Sequence, residues 1–171
     1  MEEKAKKIKM IILDVDGTLT DGSINIDNNG IESKSFNVKD GFAIVSAKKL
    51  GINFAIITGR NSKVVEKRAE ELGITDIYQG IENKAEKIEE IKLKYNLKKE
   101  NIAYIGDDIN DLPGLMKAEL KGTPYDGVQE VKKIADFIST SKGGEGAVRE
   151  FVEYILRVQK LWGKIISKYN F

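Results

Sequence analysis

Three short apolar runs punctuate an otherwise polar chain, at residues 9–13 (KMIIL), 53–57 (NFAII) and 102–105 (IAYI). Unbroken apolar runs of this length predict strands buried on both faces. Residues 76–78 and 136–138 are weaker candidates of the same kind. Between the runs the spacing turns helical. Residues 40–50 end at Gly51, and residues 62–72 open with a capping Ser62 and stop at Gly73. Residues 84–95 align Ile88, Ile91 and Tyr95 on one stripe, and residues 128–135 and 147–159 complete the set. Strands alternating with helices predict an α/β fold, a parallel sheet flanked by helices with right-handed crossovers.

Residues 23–38 (SINIDNNGIESKSFNV) break the alternation with two period-two runs around Asn28-Asn29-Gly30. Asn-Gly between alternating runs signals a hairpin, because both turn positions need positive φ. A lone two-stranded hairpin is marginal in water. Ile24, Ile26, Ile31 and Phe36 therefore need a covering surface, and a second subunit is expected to supply it. The C-terminal stretch carries Trp162, Ile165, Ile166, Tyr169 and Phe171 and reads as an amphipathic packing tail rather than a substrate-contacting one. With no linker or repeat, one domain is expected over residues 1–171, with a hairpin insertion at about 22–38 and a C-terminal helix and tail at 147–171.

Composition narrows the chemistry. The 171 residues hold 28 Lys plus Arg against 27 Asp plus Glu, a formal charge of +1. No bulk field draws such a chain to nucleic acid or an anionic membrane, so neither partner is expected. There is no Cys and no His. Thiol nucleophiles, disulfides, Ser-His triads and Cys- or His-bound zinc are thereby excluded. Acids, bases and nucleophiles must come from Asp, Glu, Lys, Tyr, Ser or Thr. No apolar run approaches the roughly 18 residues of a membrane span, and no secretory signal is seen, so the cytoplasm is the expected setting.

Three predicted strands run straight into chemistry-bearing residues. The first meets Asp14-Val15-Asp16-Gly17-Thr18. Ligands of parallel α/β sheets bind at the carboxyl ends of strands. Extended residues two apart point the same way, so Asp14 and Asp16 should share one pocket. Paired carboxylates repel unless one is protonated or a cation lies between them. The IAYI strand meets Gly106-Asp107-Asp108-Ile109-Asn110-Asp111, and Asp oxygens from two strand ends suit magnesium. The NFAII strand ends in Thr58-Gly59-Arg60, whose hydroxyl, turn amides and guanidinium make a phosphate cradle. Lys84 opens the next helix and can bring a fixed positive charge to the same rim. Each feature alone has a plain reading, as a turn, a helix start or a solvated charge. Their order at successive strand ends favours a site.

These residues resemble the haloacid dehalogenase-like phosphatase superfamily, through DVDGT at 14–18, ITGR at 57–60, Lys84 and the Asp107, Asp108, Asp111 cluster. The resemblance implies a Rossmann-like fold and an aspartyl-phosphate mechanism. Asp14 would attack phosphorus, and Asp16 would serve as acid and then base. Thr58 would hold a phosphoryl oxygen, and Lys84 would offset charge. It also implies magnesium on Asp14, the backbone carbonyl of Asp16, and Asp107, with Asp108 and Asp111 orienting water and Lys84. The intervals where members carry caps hold only the hairpin, or a helix and a strand, so the chain is expected to be capless.

A narrower resemblance is to the 3-deoxy-D-manno-octulosonate 8-phosphate phosphatases, through the hairpin, Asn37-Val38-Lys39-Asp40-Gly41, Arg60, Arg68 and the Gly-rich residues 143–150. It implies a homotetramer in lipopolysaccharide precursor synthesis. Asp16, Asn37, Val38, Lys39, Asp40, Gly41, Arg60, Arg68 and Lys84 would contact a small sugar acid phosphate. A nine-carbon ulosonate phosphate or another small sugar phosphate is the alternative substrate. A non-catalytic oligomeric or phospho-accepting domain is the alternative of another class.

Overall fold

The apolar runs become a wholly parallel six-stranded sheet in a computed structural model that describes residues 1–170; Phe171 of the predicted tail lies outside the described residues. The strands are β1 (Met10–Leu13), β4 (Asn53–Ile57), β5 (Asp76–Tyr78), β6 (Ile102–Ile105), β7 (Leu120–Thr123) and β8 (Phe137–Ile138), and β2 (Asn25–Ile26) with β3 (Glu32–Ser33) form a separate two-stranded ribbon. The helices are α1 (Glu2–Ala5), α2 (Val38–Lys49), α3 (Lys63–Glu71), α4 (Lys84–Lys94), α5 (Leu112–Leu115), α6 (Gln129–Ile134), α7 (Ala147–Val158) and α8 (Trp162–Ile166). The sheet order is β5-β4-β1-β6-β7-β8.

Side chains alternate across β1 because strand residues point to opposite faces. Ile11 and Leu13 join a core with α2, α3, α7 and α8, whereas Met10 and Ile12 join a second core with Ile88 and Ile91 of α4, Leu115 and Val131. Burial on both faces explains why this strand reads as an unbroken apolar run. Strand β7 escaped the apolar pattern because its sequence, LKGT, is interrupted by Lys and Gly. Its Gly122 is required by packing, since a Cβ there would lie 2.8 Å from the Phe151 ring.

The hairpin differs from its expected form. Each strand is only two residues long, and the Asn-Gly pair does not make a two-residue turn. Asp27 Oδ1 instead accepts from the amides of Asn29 (2.9 Å) and Ile31 (2.8 Å), and Gly30 alone takes a positive φ, +76°. That is a longer loop closed by a glycine bulge. The need for cover also divides by parity. Phe36 packs against this chain's own core beneath the Arg68 guanidinium, 5.6 Å from the ring centroid. Ile24, Ile26 and Ile31 stay 45%, 60% and 63% exposed. Of the tail's described residues Trp162 and Ile165 are buried as expected while Tyr169 stays 66% exposed, and Arg149 stacks 4.7 Å from the Trp162 ring and 5.4 Å from that of Phe42. No helix among the described residues is long and apolar enough to cross a membrane.

Candidate active site

Strand β1 is the switch point of the sheet, paired with β4 on one side and β6 on the other. Crevices at the carboxyl ends of such strands bind ligands. Here the three ends open into a cavity of about 390 Å³ lined by Asp14, Asp16, Thr58, Arg60, Asp107 and Asp108, with Asp21, Asn110 and Asp126 on its rim. Gly17 makes the turn possible. Its φ is +90°, and a Cβ there would meet Asp107 Oδ2 at 2.1 Å.

The floor is a buried polar network. Lys84, only 1% exposed, donates to Asp14 Oδ1 (2.7 Å) and Asp111 Oδ1 (2.6 Å). Asp111 also accepts from the Tyr104 hydroxyl (2.6 Å) and the amides of Asp107 (2.9 Å) and Asp108 (3.2 Å). Both Asp111 oxygens are therefore spent on anchoring. Gly106 is needed for this, because a Cβ would sit 2.5 Å from the Asp111 carboxyl. Asp107 accepts from Thr18 Oγ1 at 2.9 Å. Asp108 caps its own turn through the Ile109 amide and makes no bond to Lys84, unlike the expectation for it.

Carboxylate oxygens of Asp14, Asp107 and Asp111 all lie within 4.8 Å of one another. Burial, then the charge of Asp111, pushes Asp14 well above the usual carboxylate range against the opposing pull of Lys84. Burial and Asp111 likewise push Asp107 up to about 7. One ammonium does not balance three carboxylates in so dry a place. Among the described residues Asp14 and Asp107 each accept a side-chain hydrogen bond on Oδ1 alone, and both line the cavity. This donor set fits a magnesium ion. Burial and Asp111 also hold Tyr104 well above its ordinary value, so it stays a neutral donor.

At the mouth, Asp16 pairs with Lys34 and lies 4.0 Å from Arg60 Nε, while Glu32 accepts from Arg60 Nη2 at 3.1 Å and from Ser62 Oγ at 2.5 Å. Ser62 thus spends its hydroxyl on Glu32 and makes no side-chain cap for α3, although it occupies the capping position. Sequence reasoning passed over Glu32 and Lys34. Their signal was parity: residues 32, 34 and 36 share one face of an extended run, opposite Ile31. Tyr104, in β6, brings its hydroxyl to Asp111 only through the fold.

Of the predicted site residues, Asp14, Asp16, Thr58, Arg60 and Asp107 meet at the cavity and Lys84 lies beneath it. The others do not reach it within this chain. Asn37 caps α2 through the Lys39 amide and donates to Gly144 O. Val38 and Lys39 point to solvent. Asp40 is buried and accepts from the Arg149 amide at 2.7 Å, its Oδ2 unpartnered. Gly41 packs against Arg68, whose Nη2 would lie 2.5 Å from a Cβ there. The Gly-rich segment has a tight fit of its own, for a Cβ on Gly143 would stand 1.9 Å from Gly17 O.

Comparison with known proteins shows the family. The family model of haloacid dehalogenase-like hydrolases matches residues 37–119. A 3-deoxy-D-manno-octulosonate 8-phosphate phosphatase of Escherichia coli (strain K12) is 44% identical over 156 residues, covering 91% of this chain and 83% of that protein. The crystal structure of the Moraxella catarrhalis 3-deoxy-D-manno-octulosonate 8-phosphate phosphatase, in complex with magnesium, phosphate and the sugar acid KDO, superimposes with a TM-score of 0.96 at 40% identity, covering 98% and 97% of the two chains. The cobalt-bound form of the Haemophilus influenzae deoxy-D-mannose-octulosonate 8-phosphate phosphatase gives 0.89 at 36% identity, with 92% of each chain covered.

Proposed function

The chain belongs to the haloacid dehalogenase-like hydrolases, within them to the 3-deoxy-D-manno-octulosonate 8-phosphate phosphatases, and on that premise we propose how its own residues hydrolyse that ester. The enzyme is a magnesium-dependent phosphomonoesterase that releases the free sugar acid and phosphate, a step in making lipopolysaccharide precursor. The observation that carries the reading is the pair Asp14 and Asp16 on one cavity, with a buried lysine beneath the first.

In this reading a carboxylate oxygen of Asp14 attacks phosphorus, and the bond to the sugar oxygen breaks as Asp16 gives that oxygen its proton. The product is an aspartyl-phosphate on Asp14. Asp16, now ionised, takes a proton from water, whose oxygen attacks phosphorus and frees Asp14 and phosphate. Thr58 holds a phosphoryl oxygen. Lys84 anchors the nucleophile's carboxyl group through Oδ1. Asp14, the Asp16 carbonyl and Asp107 would hold magnesium, which when bound neutralises charge on the phosphoryl oxygens and keeps Asp14 ionised.

Arg60 faces the cavity and is our choice for the sugar acid's carboxylate. Asn37, Val38, Lys39, Asp40, Gly41 and Arg68 lie outside this chain's cavity, so any contact they make would be with substrate in a neighbour's site. That assignment goes together with a homotetramer built through the hairpins, supported by three exposed isoleucines on a two-stranded ribbon. We take residues 1–171 as one phosphatase domain. An ester carrying both phosphate and carboxylate does not cross a bilayer unaided, so we place the reaction in the cytoplasm with its supply.

The test is phosphate release from a panel of sugar phosphates, run together with the oligomer mass. Preference for the eight-carbon ulosonate ester and a mass of four chains are expected. Preference for a nine-carbon ester would move the substrate assignment, and equal, sluggish turnover of all esters would remove it.

A further inference from the structure

Acidic and basic side chains alternate in a ring at the mouth of the cavity: Asp16, Lys34, Glu32, Arg60 and back to Asp16. Lys34 Nζ lies 3.3 Å from Glu32 Oε1, and Arg60 Nη2 lies 3.1 Å from the same oxygen. Glu32 Oε2 is held separately by the Ser62 hydroxyl. That bond, with Lys34 and Arg60 beside it, keeps the Glu32 carboxyl below its usual range, so it is ionised at neutral pH. The Lys34 side chain is 1% exposed and that of Glu32 19%, whereas that of Arg60 is 45% exposed.

An unattached arginine at a pocket mouth samples many rotamers and loses that freedom when it grips an anion. Here Glu32 holds the Arg60 guanidinium through Nη2, and the Arg60 side chain stays 45% exposed. Both oxygens of Glu32 are engaged, and Lys34 balances its charge. The carboxylate is therefore tied in place rather than competing for the cation. We propose that Glu32 is a positioning residue that pre-orients Arg60 for the carboxylate of the substrate, setting selectivity for acidic phosphate esters rather than the rate of phosphoryl transfer. The proposal rests on the substrate reading above. Because Glu32 sits on the hairpin, it makes that selectivity depend on how the hairpin docks.

The experiment compares Glu32→Gln, Glu32→Asp and Arg60→Ala on the sugar acid phosphate and on p-nitrophenyl phosphate, which has no carboxylate. Glu32→Gln is expected to raise KM for the sugar acid phosphate about tenfold with kcat within about twofold, a split that general unfolding does not produce. Glu32→Asp should recover most of the loss. In the Arg60→Ala background, Glu32→Gln should add nothing, since the two act as a unit. A fall in KM, equal losses on both esters, or additive effects would overturn the proposal. A second readout is the order of the Arg60 Nε–H group by NMR, which should be high in the native enzyme and lost in Glu32→Gln; retained order also overturns it. A native enzyme with no preference for the acidic ester would remove the substrate reading instead, and the NMR comparison would still decide whether Glu32 holds Arg60.

Discussion

The floor and the mouth of the cavity use the same device, carboxylates interleaved with cations, in two different media. On the floor, Lys84, Asp14 and Asp111 are nearly or wholly buried and joined at 2.6–2.7 Å. At the mouth, the Arg60 side chain is 45% exposed and its contacts with Glu32 and Asp16 stretch to 3.1 and 4.0 Å. Water decides what each arrangement does. A buried pair is expensive to break, because the survivor is stranded without solvent. A half-exposed pair contributes little to folding, and its value lies in direction. The floor therefore couples chemistry to stability, and at the mouth the Glu32–Arg60 pair separates selectivity from both.

Removing the floor's cation breaks the comparison hardest. Lys84→Met strands Asp14 and Asp111 and should cost about 3–5 kcal/mol in denaturant unfolding, together with turnover. Asp14→Asn separates the floor's two roles: turnover should fall by roughly a thousandfold or more while the unfolding midpoint stays close to native, because Lys84 keeps Asp111. Retained turnover would sink the covalent mechanism.

A buried acid away from the site offers a third environment. Asp40 is pushed up to about 6, chiefly by burial, against the Arg149 amide and the nearby Arg149 and Arg68 charges. Its folded value lies above the ordinary 3.8. The neutral form thus stabilises the fold below about pH 4, and that contribution is lost as pH rises to about 6, by roughly 3 kcal/mol in all. Asp40→Asn should flatten this slope in chemical unfolding between pH 4 and 6; an unchanged slope would place the titration elsewhere. Magnesium should raise the native melting temperature by the equivalent of about 2.7 kcal/mol at a hundredfold excess over its Kd, and this gain should vanish in Asp107→Asn. The smallest effect belongs to the mouth. Glu32→Ala should change folding stability by less than about 1 kcal/mol.

The residues that meet at the cavity were legible because each motif is local: a buried run, a turn and the polar residue that follows it. Asp14, Thr58 and Asp107 needed only the rule that ligands gather at the ends of parallel strands. Asn37 through Gly41 and Arg68 show where that reasoning stops. They matched a pattern, yet in this chain they cap a helix, pack a glycine or bury an acid. Strand β7 was missed for a related reason. Its Gly122 answers to Phe151, 29 positions away, and not to its neighbours in sequence.

Sequence alone determined the alternation of strands and helices, the acids at the strand ends and the exclusion of thiol and imidazole chemistry, because residue type and backbone periodicity act over a few positions. Tertiary structure decided which charges meet. Lys84 reaches Asp14 across 70 positions and Ser62 reaches Glu32 across 30. Such pairs are set by how the hairpin and helices pack on the sheet, and periodicity holds no record of that packing.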